Sequence, residues 1–517
     1  MRKRHCLIPI DCFVGLVSLA ALGLSSASAE PADPFVFSTY YGGSNWDHAR
    51  DVCADADGNV YIVGGTSSPD FPTTAGVVDR VFNQGGEFVG AHGDCDVLVV
   101  KFSADGRLLW STFIGGPNYD RAYGVEVGPD GFIYVAGRAG PGFPTTKDVF
   151  QPDFSGSREI GFYGAQNAFV LKLRPDGTEI VWATYVGVGE LCRDVAVDTD
   201  GSIFVPMSYT PNIDSFPDWM DRALQNSFQK KPAGDIDCGL VKIRNDGSAV
   251  SWASWLGGSG KDTQAACVRL DGHHRPVVST NTTSSDMPTT DGAESRRLNG
   301  VADGFVAMFK ADGSELVYGT YLGGSDRDWS VSTHQLEVDD DGHAYLSMGT
   351  MSADFPIRSG STHKMLQGIS DVAVVKLSTA GKILQNTLIG GSANDGADGI
   401  AVDEDGTVYF VGETGSRDFP VTENAFQKKH GGGKRGDGFV VKLSSDFETI
   451  LYASYLGGPN DDNARSASLG PDGALLLTGA VNGPGWPTRN ASQPKFAGTD
   501  NGRWANGDCI AAKLRLP

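Results

Sequence analysis

The chain has 517 residues, 40% of them hydrophobic, with 69 glycines, 25 prolines and a formal net charge of −21. So acidic a chain is not expected to bind nucleic acid or anionic membranes, which are held by Lys and Arg displacing counterions. Past the first 29 residues no stretch approaches the ~20 apolar residues of a membrane helix, so no span is expected after the N-terminal segment.

Residues 1–29 read as a secretory signal peptide. Arg2, Lys3 and Arg4 form a basic start, Phe13 to Leu24 is a short apolar run, and Ala27-Ser28-Ala29 offers a small-residue cleavage site. Neither Cys6 nor Cys12 follows the apolar run, so no lipid-anchored cysteine is expected. The mature chain, residues 30–517, is expected to be secreted, extracellular or periplasmic, and monomeric.

The next element, Phe35-Val36-Phe37-Ser38-Thr39-Tyr40, reads as a strand and runs into Tyr41-Gly42-Gly43-Ser44. That tetrapeptide recurs as Ile114-Gly115-Gly116-Pro117, Leu256-Gly257-Gly258-Ser259, Leu322-Gly323-Gly324-Ser325, Ile389-Gly390-Gly391-Ser392 and Leu456-Gly457-Gly458-Pro459, with Val186-Gly187 as a shortened copy. Seven units result, starting near residues 38, 111, 183, 253, 319, 386 and 453, and they occupy the whole mature chain as one domain.

Each unit alternates apolar and polar residues with period two. In the sixth, Gly399 to Val402 is a strand, Asp403-Glu404-Asp405-Gly406 a tight turn and Val408 to Gly412 the returning strand. After a long loop, Gly438 to Leu443 and Ile450 to Leu456 make the third and fourth strands. Asp-x-Asp-Gly suits the turn because Asp caps its own backbone and Gly accepts a positive φ. A four-stranded sheet cannot bury both faces alone, so the units pack radially: the fold class is all-β, a seven-bladed β-propeller of four-stranded antiparallel blades. The last unit stops at its third strand, Cys509 to Leu514, and the N-terminal strand supplies the missing fourth, closing the ring.

These motifs resemble the bacterial seven-bladed β-propeller repeat family, SBBP. The resemblance rests on Gly-Gly-Ser-x-x-Asp, on Ala-Val-Asp-x-Asp-Gly-x-Val-Tyr-x-x-Gly as in Ala401 to Gly412, on Asp-Phe-Pro-x-Thr as in Asp418 to Thr422, and on Asp-x-Phe-Val-x-Lys as in Asp437 to Lys442. It implies a secreted or cell-surface bacterial protein and brings no catalytic residues. The third unit departs most, with two residues missing before Glu190 and Pro206 in its second strand; the fourth has Arg269 at the turn's first Asp and Met308 at the Lys.

Antiparallel alternation puts the Asp-x-Asp-Gly turns at one end of the blades, and the Gly-Gly connections and long loops of about 20 to 28 residues at the other. Loops on a rigid scaffold carry recognition, so the long-loop face is the expected working face. A carboxylate recurs there before each innermost strand: Asp47, Asp120, Glu190, Asp262, Asp328, Asp395 and Asp462. As a ring it would suit a cation such as Ca²⁺ or a cationic ligand; the alternative is a turn-capping Asp repeated with the blade. Lys101, Lys172, Lys242, Lys376, Lys442 and Lys513 read as partners of repeated aspartates or as solvated, with anion binding as the alternative. Phe71, Phe143, Phe216, Phe355, Phe419 and Trp486, each followed by Pro, read as pins for the long loops, with sugar platforms as the alternative.

Six cysteines remain after residue 29: Cys53, Cys95, Cys192, Cys238, Cys267 and Cys509. No CxxC or Cys/His cluster suggests zinc, and Cys192–Cys238 is the one disulfide expected. His48 adjoins Asp47, while His273-His274 falls in a tight turn on the opposite face. No serine-nucleophile elbow, zinc-protease motif or phosphate-binding loop occurs. The expected function is a non-enzymatic binding or scaffold protein taking a protein or glycan on the long-loop face, without a cofactor. The alternative is an extracellular glycan hydrolase or lyase that uses carboxylates at the mouth of the central channel.

Overall fold

The computed structural model describes residues 33–517 apart from 159, 212, 214, 331–333, 359–363 and 500–506, and leaves the side chains at 264 and 265 undescribed. The expected signal peptide, residues 1–29, lies outside the described residues.

The period-two patterning yields seven antiparallel sheets. Blade 1 consists of Asp47–Ala54, Val60–Thr66, Asp96–Phe102 and Leu108–Ile114. Blades 2 to 6 repeat the order, their innermost strands being Arg121–Val127, Ala196–Val197, Asp262–Leu270, Asp328–Trp329 with Leu336–Val338, and Asp395–Val402. Blade 7 has Asp462–Leu469, Leu475–Val481 and Asp508–Leu514, and Phe35–Tyr41 completes it, pairing Phe37 with Lys513 and Tyr41 with Cys509. The innermost strands contact one another around a ring, so the protein is a closed seven-bladed β-propeller with a central channel.

Apolar side chains fill seven cores between neighbouring blades. Val63, Val97 and Val99 of blade 1 meet Ile133, Val135 and Phe169 of blade 2, while Leu476 and Ala511 of blade 7 meet Ile62 and Leu98 of blade 1. Each sheet therefore buries both faces, which is why one repeat is not a folding unit.

The repeated motifs have direct geometric causes. In the tight turns Asp55 accepts the N–H groups of Asp57 and Asn59 while Gly58 sits at φ +77°. The glycine ending Val-Tyr-x-x-Gly lies opposite a bulge in the inner strand: a Cβ on Gly64 would stand 2.0 Å from the His48 carbonyl oxygen, and one on Gly412 2.1 Å from that of Gly396. Lys101, Lys172 and Lys513 reach the turn carboxylates of Asp55, Asp130 and Asp472 at 3.1, 2.7 and 3.0 Å, and Lys242 reaches Asp198 at 3.8 Å. Lys376 and Lys442 lie over the rings of Tyr345 and Tyr409. Phe71, Phe143, Phe355, Phe419 and Trp486 are buried beneath their long loops; Phe216 is the exception, 42% exposed against Tyr209.

The two irregular blades follow from their sequences. Pro206 has no N–H to give, and the shortened inner strand of blade 3 pairs only beside Ile203 and Phe204. The long loop of that blade carries a short helix, Asp218–Ala223, which the strand pattern did not foretell; it buries Met220 and Ala223. In blade 5 the inner strand splits in two, and His334 lies between the halves.

The expected Cys192–Cys238 disulfide does not form, and the six described cysteines are free thiols. Cys192 packs between blades 2 and 3, whereas Cys238 packs between blades 3 and 4, so the two occupy opposite faces of one sheet. A chain starting at residue 30, unfolded in denaturant without reductant, should titrate six thiols; four would restore a bridge.

Candidate functional site at the channel mouth

Asp47, Asp120, Asp262, Asp328, Asp395 and Asp462 stand at the long-loop ends of their inner strands, buried. Each accepts the N–H of the second glycine of a Gly-Gly pair: Gly43, Gly116, Gly258, Gly324, Gly391 and Gly458. Ser68, Ser284, Ser352 and Ser416 add hydroxyl bonds to four of them. A second aspartate, opening the third strand of the preceding blade, approaches the first glycine from the other side. A Cβ on Gly115 would stand 2.3 Å from an Asp96 oxygen and 3.1 Å from one of Asp120. The Gly-Gly pair thus exists to fit between two carboxylates. Burial pushes Asp47 and Asp96 up to about 8 and Asp508 up to about 7, and raises Asp120 and Asp462 well above the usual range. Glu190, in the unit without a Gly-Gly pair, is only half-buried. The six aspartates hold the Gly-Gly turns.

The channel wall is built by inner-strand residues that do not repeat. Asp47 points into the blade, so its neighbour His48 points the other way and stacks on Trp46 at 4.5 Å. Two residues further, Arg50 reaches the ring of Tyr123 on blade 2. Arg121, Arg138 and Arg193 surround the same ring, the four guanidinium carbons standing 5.1 to 5.6 Å from its centre. Arg121 also lies 4.4 Å over Trp46, and Arg138 4.5 Å over Tyr163. Among the described residues no carboxylate comes within ion-pair distance of Arg50, Arg121 or Arg138. Nε of Arg50, Nε and Nη2 of Arg121, and Nε of Arg138 are buried without a hydrogen-bond partner. Burial drives the Tyr123 phenol up, but Arg138, Arg121, Arg50 and Arg193 outweigh it and bring it down to about 7. Burial and the same cations, Arg121 and Arg50 foremost, hold His48 neutral, well below its ordinary value.

Below this mouth His334 closes the waist. It reaches from blade 5 across the channel, its Nε2 donating to the Tyr123 carbonyl of blade 2 at 2.7 Å. Asp194 of blade 3 lies 3.3 Å from its Nδ1 and Asp51 of blade 1 lies 3.6 Å from its Nε2. Burial alone would lower His334, yet Asp51 and Asp194 hold it above its usual value. Asp194 is itself paired with Arg269 at 2.6 Å, so two carboxylates, an imidazolium and a guanidinium balance. Ligand atoms of Asp51, Asp194 and His334 lie within 4.8 Å of one another. The carboxylate oxygens, however, accept the N–H groups of Val52, Val125, Val195 and Val268. Three such ligands fall short of the six to eight oxygens calcium takes.

On the tight-turn side of the waist lies a cavity of about 410 Å³ lined by Glu126, Asp198, Asp271, Glu337 and Asp340, with Arg269 and His274. His274 sits at φ +61° in its turn, with Nδ1 2.6 Å from Asp198. The channel is therefore cationic towards the long loops and acidic towards the tight turns.

No family model matches the chain, nor does any curated protein. Solved structures match over most of its length. The WD40 β-propeller domain of Doa1 is 10% identical, covering 94% of this chain and 97% of that one, with a TM-score of 0.43. A protein of unknown function from Dyadobacter fermentans is 12% identical over 93% and 99%, with a TM-score of 0.43. An ulvan lyase, described as a new family of polysaccharide lyase, is 11% identical over 86% and 93%, with a TM-score of 0.41. The likeness is one of fold.

Sequence reasoning singled out His48 but missed the arginines and His334. A signal existed: counting three residues on from each ring carboxylate gives Arg50, Tyr123, Arg193, Ala265, Val331, Asp398 and Arg465, a register where the copies disagree. Repeated positions build the blade, and the unrepeated ones of the inner strand face the channel.

Proposed function

We propose that this chain is a secreted or cell-surface, non-enzymatic binding protein of the SBBP repeat type, taking a protein or glycan ligand at the channel mouth on the long-loop face. The signal-like residues 1–29 and the motifs recurring in register support export and family; no cofactor belongs to this reading. The observation that carries the site is the set of buried, partnerless guanidinium nitrogens on Arg50, Arg121 and Arg138 in a chain of charge −21. Buried charges without counter-charges lower stability, and such groups persist where function requires them.

The test separates binding from structure. Arg121→Met, which keeps the packing on Trp46, should raise the unfolding temperature by about 2 °C or more. It should also abolish capture of ligands found by probing glycan and surface-protein arrays with the mature chain. A lower unfolding temperature together with unchanged capture would remove the site.

One observation favours an enzyme as the second reading: the Tyr123 phenol at about 7 is poised as a general base near neutral pH. Glycan breakdown products that vanish in Tyr123→Phe while the glycan still binds would put a lyase in place of the binding protein.

A further inference from the structure

Beside the arginine cluster, between blades 2, 3 and 4, lies a cavity of about 420 Å³ whose lining includes Arg138, Arg193, Lys261, Thr263, Asn281 and Thr282. None of the described residues lining it is acidic. That is a strong local bias in a chain with 63 Asp and Glu against 42 Lys and Arg. Arg138 borders the cavity while only 6% exposed, with its Nε lacking a partner, so the cation is already desolvated before a ligand arrives. Charge-assisted bonds from a planar guanidinium suit a carboxylate or sulfate, which can accept two at once.

The surroundings suit a sugar. Tyr163 lies under Arg138 at 4.5 Å, and next to it Phe162 is 59% exposed, with ring centres 5.0 Å apart. His92 completes this aromatic edge, 5.4 Å from Phe162 and 5.5 Å from Tyr163. The rest of the polar lining comes from Thr263 and Asn281, while the Thr282 and Thr283 hydroxyls, also in the lining, donate to Asp262 and to the Lys261 carbonyl. The aromatic edge lies beyond Arg138, outside the lining itself, so a sugar ring on it would hold its acidic group towards the cavity.

We infer that the ligand of this mouth is an acidic oligosaccharide, its carboxylate or sulfate seated between Arg138, Arg193 and Lys261 and its ring against Tyr163 and Phe162; this rests on the binding role proposed above. The experiment is calorimetric titration of the mature full chain with four probes: oligogalacturonate, a sulfated dextran oligosaccharide, unsulfated dextran and a polyglutamate peptide. Either or both acidic glycans should bind, the first signifying a carboxylate site and the second a sulfate site, with unsulfated dextran at least about tenfold weaker. Lys261 is exposed, so Lys261→Gln leaves the fold intact; it should weaken the acidic glycan by about threefold or more, and Phe162→Ala should do likewise. Polyglutamate binding as tightly would overturn the inference in favour of an acidic protein, as would equal binding of dextran or indifference to both substitutions. A long-loop-face ligand of another chemistry, found on the arrays and lost in Arg121→Met, would sink this inference while leaving the binding role standing.

Discussion

A chain lacking residues 30–41 is expected to fail to close its ring, either remaining unfolded or melting at least about 10 °C below the intact protein. The strand Phe35–Tyr41 is the fourth strand of blade 7, and without it the edge of Asp508–Leu514 is left unpaired. It also ties that blade to its neighbours. Phe35 stacks edge-on with Phe426 of blade 6 at 5.0 Å, and Phe37 and Tyr41 pack on Phe102 of blade 1 at 6.1 and 5.5 Å. The Tyr40 hydroxyl accepts the N–H groups of Gly485 and Trp486, and Trp486 Nε1 donates to Ser38 Oγ. Four aromatic side chains at about 1.5–3 kcal/mol each are a large share of a total stability of about 5–15 kcal/mol. Differential scanning calorimetry decides the matter, and a synthetic peptide of residues 30–41 added to the truncated chain should recover much of the loss. Unfolding within about 2 °C of the intact protein would mean that the ring is held shut elsewhere.

Stability should be greatest near pH 4 to 5 and fall towards pH 8.5, with an unfolding temperature lower by about 5 °C or more. The cause is the double set of carboxylates around the Gly-Gly turns. Burial raises Asp47 and Asp96 to about 8, Asp508 to about 7, and Asp237, Asp303 and Asp371 to about 6. In the unfolded chain these groups lose their protons near pH 4. Between about pH 4 and pH 8 the folded chain therefore binds more protons than the unfolded one, so each step up in pH costs stability. His334, held above its usual value, acts in the same direction as it loses its proton. Tyr123 opposes above about pH 7, where its depressed phenol ionises first in the folded state, and His48 and His92, depressed by burial, oppose below about pH 6.5 but are outnumbered by the raised carboxylates. The chain itself shows that a neutral group serves at these positions. Asn167 replaces the third-strand aspartate in blade 2, donating to the carbonyls of Gly187 and Gly189 and accepting the N–H of Ser155. Asp96→Asn should accordingly flatten part of the slope without lowering the peak, and a flat profile from pH 5 to 8.5 in the parent chain would refute the account.

Much of this architecture is legible without coordinates because the repeated residues each answer a local demand. Asp55 and Gly58 make a turn, Gly412 makes room for a bulge, and Lys101 meets its turn aspartate, and each of these recurs in several blades. The site is not legible in that way. Arg50, Tyr123, Arg193 and His334 belong to blades 1, 2, 3 and 5, and His334 donates to a carbonyl 211 positions away. The failed disulfide has the same root: Cys192 and Cys238 are near in the repeat but face opposite cores, and the side of a sheet on which a residue lies depends on the bulges and breaks that precede it.

The sequence alone determined seven sheets, their four-strand order, the closure by the N-terminal strand and the separation of the chain into a tight-turn end and a long-loop end. These follow from period-two patterning and turn chemistry, which act within a few residues and recur. Tertiary structure alone decided what the channel contains, placing guanidinium groups with no carboxylate partner among the described residues above a histidine waist and acids below it. Charges meet across a channel through space, and only the closed ring sets which strands stand opposite one another.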